Sequence, residues 1–414
     1  MKKLRKKVYM TAGYNTISLG TGRKEFHPSK ERPGIEYYIA EAGRGTLSMI
    51  GGADNVDEGV FGNFIADQFC RQNHIAAFLP MIDEKLKYKP STRTEGACCS
   101  GGLALMAGMR SVLAETADVV LTVGVEVQNT MKAMYVADVL ATAGYYKNRK
   151  AGHAYFFPGQ FSNRAGAYYE KFGREYARKG FARWYRNAIE NARLCPTAQE
   201  YHNTIKDLEA AAMTEPNPKG FLDFLTVYDC SKVSDAGCAI AIVSEDGLKK
   251  IGIKPADAVE VIGFGQAEND ITQPPEDLTV MDTTREAVKK ALEMAGISIH
   301  QVGTIEMHDC FTAAGILGIE AMGLAGHGKG AGFVYEGNTA RDGIIPVNTT
   351  GGLIGWGHPT GGTGVHQANT IWEQLTGRAG DAQVNISPDR PFGLTVNMGG
   401  DDKTLAAIVY KRGE

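Results

Sequence analysis

The chain has 414 residues, 43% hydrophobic and 22% charged, and its 44 basic and 47 acidic side chains leave a net charge of −3. That length suits two to three domain-sized units or one large two-fold assembly with a substantial core, and the balanced charge argues against nucleic-acid binding. No apolar run approaches the ~20 residues needed to cross a bilayer. Seven scattered cysteines (Cys70, Cys98, Cys99, Cys195, Cys230, Cys238 and Cys310) contain no C-x-x-C pair, which argues against a disulfide framework and against a zinc ribbon in this chain.

The start, MKKLRKK, is basic, but VYMTAGYNTISLG is no signal-peptide core, and the final KRGE is no peroxisomal address. A cytoplasmic location is the expectation. EGACCSGGLALMAG (95–108) passes from a polar approach into an apolar helix, with helical spacing over 102–115 and the start at Ser100-Gly101. DVVLTVGV (118–125) reads as a short buried strand. Residues 130–220 differ: AGAYYEKFGREYARKGFARWYRNAIENARL is long, charged, aromatic and helical, an insertion rather than sheet. Sheet-like chain resumes at DCSKVSDAGCAIAIVSED (229–246), and a second α/β half begins after KKIGIKPADAVEVIGFGQ. In that half TTREAVKKALEMAGI (283–297) is an amphipathic helix ending near Gly296, VGTIEMHD (302–309) a strand and TAAGILGIEAMGL (312–324) an apolar helix. Strand–helix alternation predicts α/β architecture with mostly parallel sheets. TEGACCSGGLALMAG and NTTGGLIGWGHPTGGTGVHQ echo each other as polar approach, glycine-rich turn and helix, which suggests a duplicated fold.

Four segments carry groups suited to chemistry. Cys98 sits before S-G-G at a helix start, where backbone N–H groups and the helix dipole favour a thiolate; Cys99 reads as packing. His358, in GWGHPTGGTG, is held in a tight loop and can take a thiol proton. MHDCFT (307–312), where a strand gives way to a helix, offers the His308 imidazole to polarise a carbonyl and the Cys310 thiol to shuttle protons. In TVNMGGDD, Asn397, Gly399 and Gly400 form a turn whose N–H groups can complete an oxyanion hole. No glycine motif fits a dinucleotide or Walker pattern, since GFGQAE (263–268) and GTGRKE (20–25) lack the third glycine.

Together these segments resemble the thiolases. That family places its nucleophile in C-x-[ST]-G, matched by Cys98-Cys99-Ser100-Gly101, and NTTGGLIGWGHPTGGTG (348–364) matches its N-x-x-G-G-x-x-x-x-G-H-P-x-G-x-[ST]-G segment almost completely. VDEGVFGN (56–63) and VGVEVQNT (123–130) are similar to thiolase segments too. Two departures stand out. Asn397-Met398-Gly399-Gly400 occupies the place of C-x-G-G, and His308-Asp309-Cys310-Phe311 replaces N-E-A-F. The H-D-C-F signature marks the sterol-carrier-protein type of thiolase, in which the cysteine of that motif takes over acid/base work.

Several expectations follow from the resemblance. The fold is two duplicated α/β halves in a five-layered α-β-α-β-α core with an inserted helical loop domain. The halves are 1–130 with 221–255 and 256–414, and the loop domain is 131–220. The activity is thiolytic cleavage of a 3-oxoacyl-CoA, with catalytic Cys98, His308, Cys310 and His358 and an oxyanion hole from the N–H groups of Cys98 and Gly399. Coenzyme A is co-substrate, no cofactor is covalently bound, and no metal belongs to this chain. Within the branch the chain is most similar to the large subunits of benzoylsuccinyl-CoA thiolases of anaerobic toluene breakdown, on the extended start VYMTAGYNTISLGTGRKEFHP, on 152–173 and on TVNMGGDDKT. This implies benzoyl-CoA and succinyl-CoA as products, an acyl pocket shaped by Phe156 and Phe157 with Asn397 at the substrate, a homodimeric core, and a small zinc-ribbon/OB-fold partner subunit. Acetoacetyl-CoA or another 3-ketoacyl-CoA is the alternative substrate. A ketosynthase-like condensing enzyme and a non-catalytic acyl-CoA-binding protein are the rival functions.

Overall fold

The computed structural model describes residues 3–27 and 29–414; Met1 and Lys2 of the basic start, and Pro28, lie outside the described residues. The first half runs β1 (Tyr9–Asn15), α1 (Ile35–Met49), β2 (Glu58–Gly62), β3 (Ser91–Thr94), α2 (Ser100–Leu113) and β4 (Val119–Glu126). Two long helices follow, α3 (Phe156–Phe172) and α4 (Arg174–Ala192), and then β5 (Ala236–Val243). The second half runs β6 (Val259–Glu268), α5 (Asp282–Ala295), β7 (Val302–Met307), α6 (Thr312–Ala321), α7 (Thr363–Thr376), β8 (Phe392–Gly399) and β9 (Thr404–Arg412).

The strands hydrogen-bond in the order β3-β2-β4-β5-β1-β6-β9-β8-β7. In the first half-sheet β2 lies parallel to β3 and β4, while β5 runs antiparallel to β4 and β1. The second repeats the plan: β7 is parallel to β8, and β9 runs antiparallel to β8 and β6. Val347 bridges Ile305 in parallel, where the first half has its edge strand β3. The half-sheets join through a short seam, Tyr9↔Glu260 and Met10↔Val259, extended by the Val261 N–H donating to the Val8 carbonyl. Two halves of one topology are therefore present, as the sequence echo suggested.

Local composition explains the layers. Every residue of β4 and β5 is buried, as expected for β-branched and small residues covered on both faces. Helix α7 is buried nearly all round, and its polar side chains find partners inside: Asn369 donates to the Tyr14 carbonyl and Asn15, and Gln374 to Thr349 and the Ala382 carbonyl. Helices α2 and α7 each touch both half-sheets and each other, so they form the middle layer. Helix α1 covers β1, β4 and β5 from outside, and α5 covers β6 and β9. The result is helix, sheet, helices, sheet, helix. Between the sheets the core is built from Met10, Leu105, Met109, Ile242, Val365, Ile371 and Ile408, among others. The charged aromatic segment forms α3 and α4, separated at Gly173, whose φ of 97° ends the first helix; both pack on α6 and share one apolar core with the second half.

The middle layer closes through bare backbone. A Cβ on Gly101 of α2 would lie 2.8 Å from the Gly361 carbonyl oxygen and 2.9 Å from the Gly364 nitrogen, and one on Gly364 of α7 would lie 2.2 Å from the Gly102 nitrogen. Backbone cannot step aside as a flexible side chain can. Gly364→Ala is therefore expected to cost about 1–3 kcal/mol or more of stability and to lower activity by parting the two helix starts. Thermal unfolding and a turnover assay check this against Gly326→Ala, where an added carbon meets nothing nearer than the Lys329 side chain at 3.9 Å.

Candidate active site

Cys98 lies in the short 3₁₀ turn Ala97–Cys99 that runs directly into α2 at Ser100. Ala97 holds a left-handed φ of 53°, an uncommon state for a residue with a Cβ. The turn is fixed by Ser100, whose hydroxyl donates to the Ala97 carbonyl at 2.6 Å and accepts the Gly96 N–H at 3.1 Å. The Cys98 sulfur is half-buried and faces its own N–H and that of Gly400. Cys99 points the other way; it is buried, and its thiol donates to the Asn397 carbonyl at 3.2 Å.

His358 is held by its backbone: its N–H donates to the Ser234 hydroxyl at 2.8 Å, and its carbonyl accepts from the Gln128 amide at 2.7 Å. Its Nδ1 lies 2.8 Å from the Thr363 hydroxyl, which itself reaches the Pro359 carbonyl at 3.1 Å. A carbonyl only accepts, so both contacts form at once only if Thr363 donates to Pro359 and His358 Nδ1–H donates to Thr363. Nε2 of His358 is then the bare, proton-accepting nitrogen. His308 follows β7, fixed by its N–H to the Val396 carbonyl at 2.9 Å, and its ring stands edge-on to His358 with centroids 4.9 Å apart. One ligand atom each of Cys98, His308 and His358 lies within 4.8 Å of the others. Among the described residues this is also the group of His, Cys and acidic side chains spaced to hold a metal ion.

Cys310 is buried beside this trio but outside it; its thiol feels the charges of Cys98, Asp309 and Asp401. Besides its own N–H, the Cys98 sulfur faces that of Gly400, the residue after the Gly399 expected to complete the oxyanion hole. Gly399 ends β8 with its Cα packed on Gly96 and Cys99, where a Cβ would lie 2.1 Å from the Gly96 oxygen. Asn397, expected at the substrate, is 2% exposed, and its amide is engaged by protein groups. Phe156 is buried edge-on to Phe157, with ring centroids 5.2 Å apart. Phe157 packs on a small apolar cluster of Phe64, Ile65, Phe69, Ala97, Val136 and Ala143, and Ala97 is the residue before Cys98. Phe161 is fully enclosed, stacked on Phe311 at 4.6 Å.

Two supporting carboxylates escaped the sequence reading. Glu126, at the end of β4, accepts from the Asn63 amide, the Phe64 and Ile65 N–H groups, the Thr360 hydroxyl and the Gly361 N–H. It thereby ties the His358 loop to the end of β2. Its signal was a charge inside the otherwise apolar run VVLTVGVEV. Asp309 accepts from the Trp184 indole at 2.9 Å and the Leu353 N–H at 2.7 Å, and burial raises its carboxyl to about 7.

Burial dominates the electrostatics. It pushes the Cys98 thiol up to about 12, helped by the Glu126 charge, and pushes His358 down to about 3. His308 is driven well below its ordinary range by burial and by His358. At rest the site is a neutral thiol beside two neutral imidazoles, suited to transferring the thiol proton during nucleophilic attack.

Known proteins bear on this arrangement. Residues 265–412 match the family described as "Thiolase C-terminal domain-like". The acetyl-CoA acetyltransferase of Methanothermobacter thermautotrophicus is 34% identical over 381 residues, covering 90% of this chain and 94% of that protein. The benzoylsuccinyl-CoA thiolase subunit BbsB of Thauera aromatica is 27% identical over 304 residues, covering 72% of this chain and 74% of its own length. Among solved structures, the Ltp2–ChsH2(DUF35) aldolase superposes with a TM-score of 0.77 at 16% identity over 99% of both chains, a likeness of fold. No helix among the described residues is long and apolar enough to cross a membrane.

A raised thiol and a lowered imidazole set a pH signature. Thiolate is scarce below about 12 and grows as pH rises, while His358 stays neutral above about 3. Alkylation of Cys98 by iodoacetamide should climb about tenfold per pH unit between pH 6 and 9, without the plateau that a thiolate–imidazolium pair would give. Rates measured by peptide mass spectrometry test this, and a plateau near neutral pH would contradict it.

Proposed function

This chain belongs to the thiolase family, and from that premise we propose that it cleaves a 3-oxoacyl-CoA with coenzyme A through an acyl-Cys98 intermediate. It is an acyltransferase acting on acyl-CoA thioesters. The observation that carries the finer reading is the convergence of Cys98, His308 and His358 within 4.8 Å at the start of a buried helix.

In the proposed reaction the Cys98 thiol gives its proton to His358 and its sulfur attacks the 3-oxo carbon. The oxyanion is held by the Cys98 N–H and the Gly399–Gly400 turn. The C2–C3 bond then breaks, leaving an acyl thioester on Cys98 and a thioester enolate. That enolate's oxygen is held by His308 and by protonated His358, and its carbon takes the proton of Cys310. Free CoA enters, gives its thiol proton to the Cys310 thiolate and attacks the acyl-enzyme. Cys98 leaves and recovers its proton from His358, which closes the proton balance. General acid/base help contributes about 10²–10⁴ in rate, and one oxyanion donor about 10²–10³.

Two substrates follow from different observations. The acetyl-CoA acetyltransferase relative, alike over 90% of this chain, favours acetoacetyl-CoA or another simple 3-ketoacyl-CoA. The apolar wall that joins Phe157 to Ala97, with the resemblance to BbsB, favours benzoylsuccinyl-CoA and its products benzoyl-CoA and succinyl-CoA. We read residues 1–130 with 221–255 and residues 256–414 as the catalytic halves, and 131–220 as the inserted loop domain. A homodimeric core in the cytoplasm is part of this reading. So is a small zinc-ribbon/OB-fold subunit, to which the DUF35-containing structural neighbour lends support.

The test is CoA-dependent cleavage of both substrates by the full chain, alone and with any small subunit that co-purifies, with products read by mass spectrometry. Cys98→Ala should abolish turnover. Cys310→Ser should lower it about 10²–10⁴-fold and still acylate Cys98. Consumption of a malonyl thioester with no thiolysis would replace this reading with a condensing enzyme. No acylation of Cys98 by any acyl-CoA would replace it with a binding protein.

A further inference from the structure

Asn397 makes contacts that a substrate-binding amide would leave open. Its Oδ1 accepts the Gly102 N–H at 3.0 Å, and its Nδ2 donates to the Cys98 carbonyl at 3.2 Å. The same Nδ2 stands 3.4 Å from Nδ1 of His308. A main-chain N–H can only donate and a carbonyl can only accept. Exchanging the oxygen and nitrogen of this amide would therefore set donor against donor at Gly102 and acceptor against acceptor at Cys98. The orientation of the amide is thus fixed by two groups of unambiguous character.

We propose that Asn397 is a positioning residue that holds His308 as the Nε2–H tautomer, opposite to His358, so that one ring of the pair accepts a proton while the other donates a hydrogen bond. An amide nitrogen has no lone pair to offer. The Nδ1 atom that faces it must present its own lone pair, and a neutral imidazole then carries its single proton on Nε2. Thr363 and Pro359 impose the reverse on His358, with Nδ1 protonated and Nε2 bare. Without these partners, two neutral imidazoles 4.9 Å apart would exchange tautomers freely, and the site would mix productive and unproductive forms. Asn397 also reaches Cys98 and Gly102, so one side chain ties the proton of His308 to the backbone that carries the nucleophile.

The inference rests on the proposed reading that His308 donates to a thioester oxygen, and the experiment separates the two. Long-range ¹H–¹⁵N correlation spectra of the full chain, labelled at its nine histidines, report the tautomer directly. His308→Ala and His358→Ala spectra assign the two rings. In the wild type His308 should show a protonated Nε2 and His358 a protonated Nδ1. In Asn397→Ala the His308 signals should move toward a mixture, kcat should fall about 10²-fold with KM within about threefold, and Cys98 alkylation should stay within about twofold. A wild-type His308 protonated at Nδ1 overturns the proposal, whether or not the variant folds. An alkylation rate that falls together with kcat also overturns it, since Asn397 would then merely support the fold. The stated tautomers with an unchanged kcat in Asn397→Ala would uphold the role of Asn397 in setting the proton and sink His308 as an oxyanion donor.

Discussion

Everything at the active site depends on two helices meeting without side chains between them. Gly101 follows Cys98 by three residues, and Gly361 and Gly364 follow His358 by three and six, so contact between these glycines brings the Cys98 thiol and the His358 imidazole, the proposed nucleophile and base, to one place. The half-sheets do not do this themselves, since their shared edge is a seam only a few residues long. The halves are held instead by α2 and α7, each packed on both sheets, and by the apolar layer they complete. Hydrophobic burial of this kind is strong but indifferent to small displacements. The position of Cys98 relative to His358 is set by the hard limit of backbone touching backbone, and that limit gives an otherwise non-directional core its precision.

A second constraint sits behind the first. Glu126 is a fully buried carboxylate with five donors converging on it from two chain segments, 63–65 and 360–361. Burial raises its pKa, and the donors from Phe64, Thr360, Ile65 and Gly361 oppose that rise. Removing the carboxylate would strand those donors in a dry interior, at a cost of about 1–3 kcal/mol for each one left unpaired. Its charge also works against ionising Cys98. The fold thus secures the His358 loop with a group that makes the Cys98 thiol harder to deprotonate at rest, and in the proposed reaction the sulfur gives up its proton as it attacks.

Much of this was legible in the residues. The helix start at Ser100, the strand ending beside His308 and the left-handed Gly296 that closes α5 stand where periodicity and glycine placement put them. The echo between the Cys98 and His358 segments marked the two middle-layer helices. Other features depended on facts that exist only in three dimensions. That the Gly400 N–H faces the Cys98 sulfur depends on where β8 stops pairing with β9, at Gly399 opposite Thr404. The role of Asn397 depends on which atoms lie opposite its amide, so a polar residue in a glycine turn read as substrate-binding. Phe156 read as a pocket wall because aromatic content says nothing about whether a ring faces a cavity or another ring, and here it is buried edge-on to Phe157.

The neutrality of the resting site ties these threads together. A preformed thiolate–imidazolium pair would have to be stabilised in a dry cavity at a cost of several kcal/mol per ion before any substrate arrived. Here burial raises the thiols and lowers the imidazoles, and in the proposed reaction charge is created only with substrate in place, where backbone N–H groups can meet it at once. The same burial bears on Cys310, whose thiol is pushed well above its usual range by desolvation and by the neighbouring acidic and thiol groups. In the proposed reaction Cys310 must stay protonated until an enolate carbon needs its proton, and then must take one back from CoA. A thiol with a depressed pKa would be ionised beforehand and useless as the acid, and its charge would repel the enolate. In that reaction the seclusion that raises the Cys98 thiol also keeps Cys310 protonated as the acid, and a single dry environment meets both requirements.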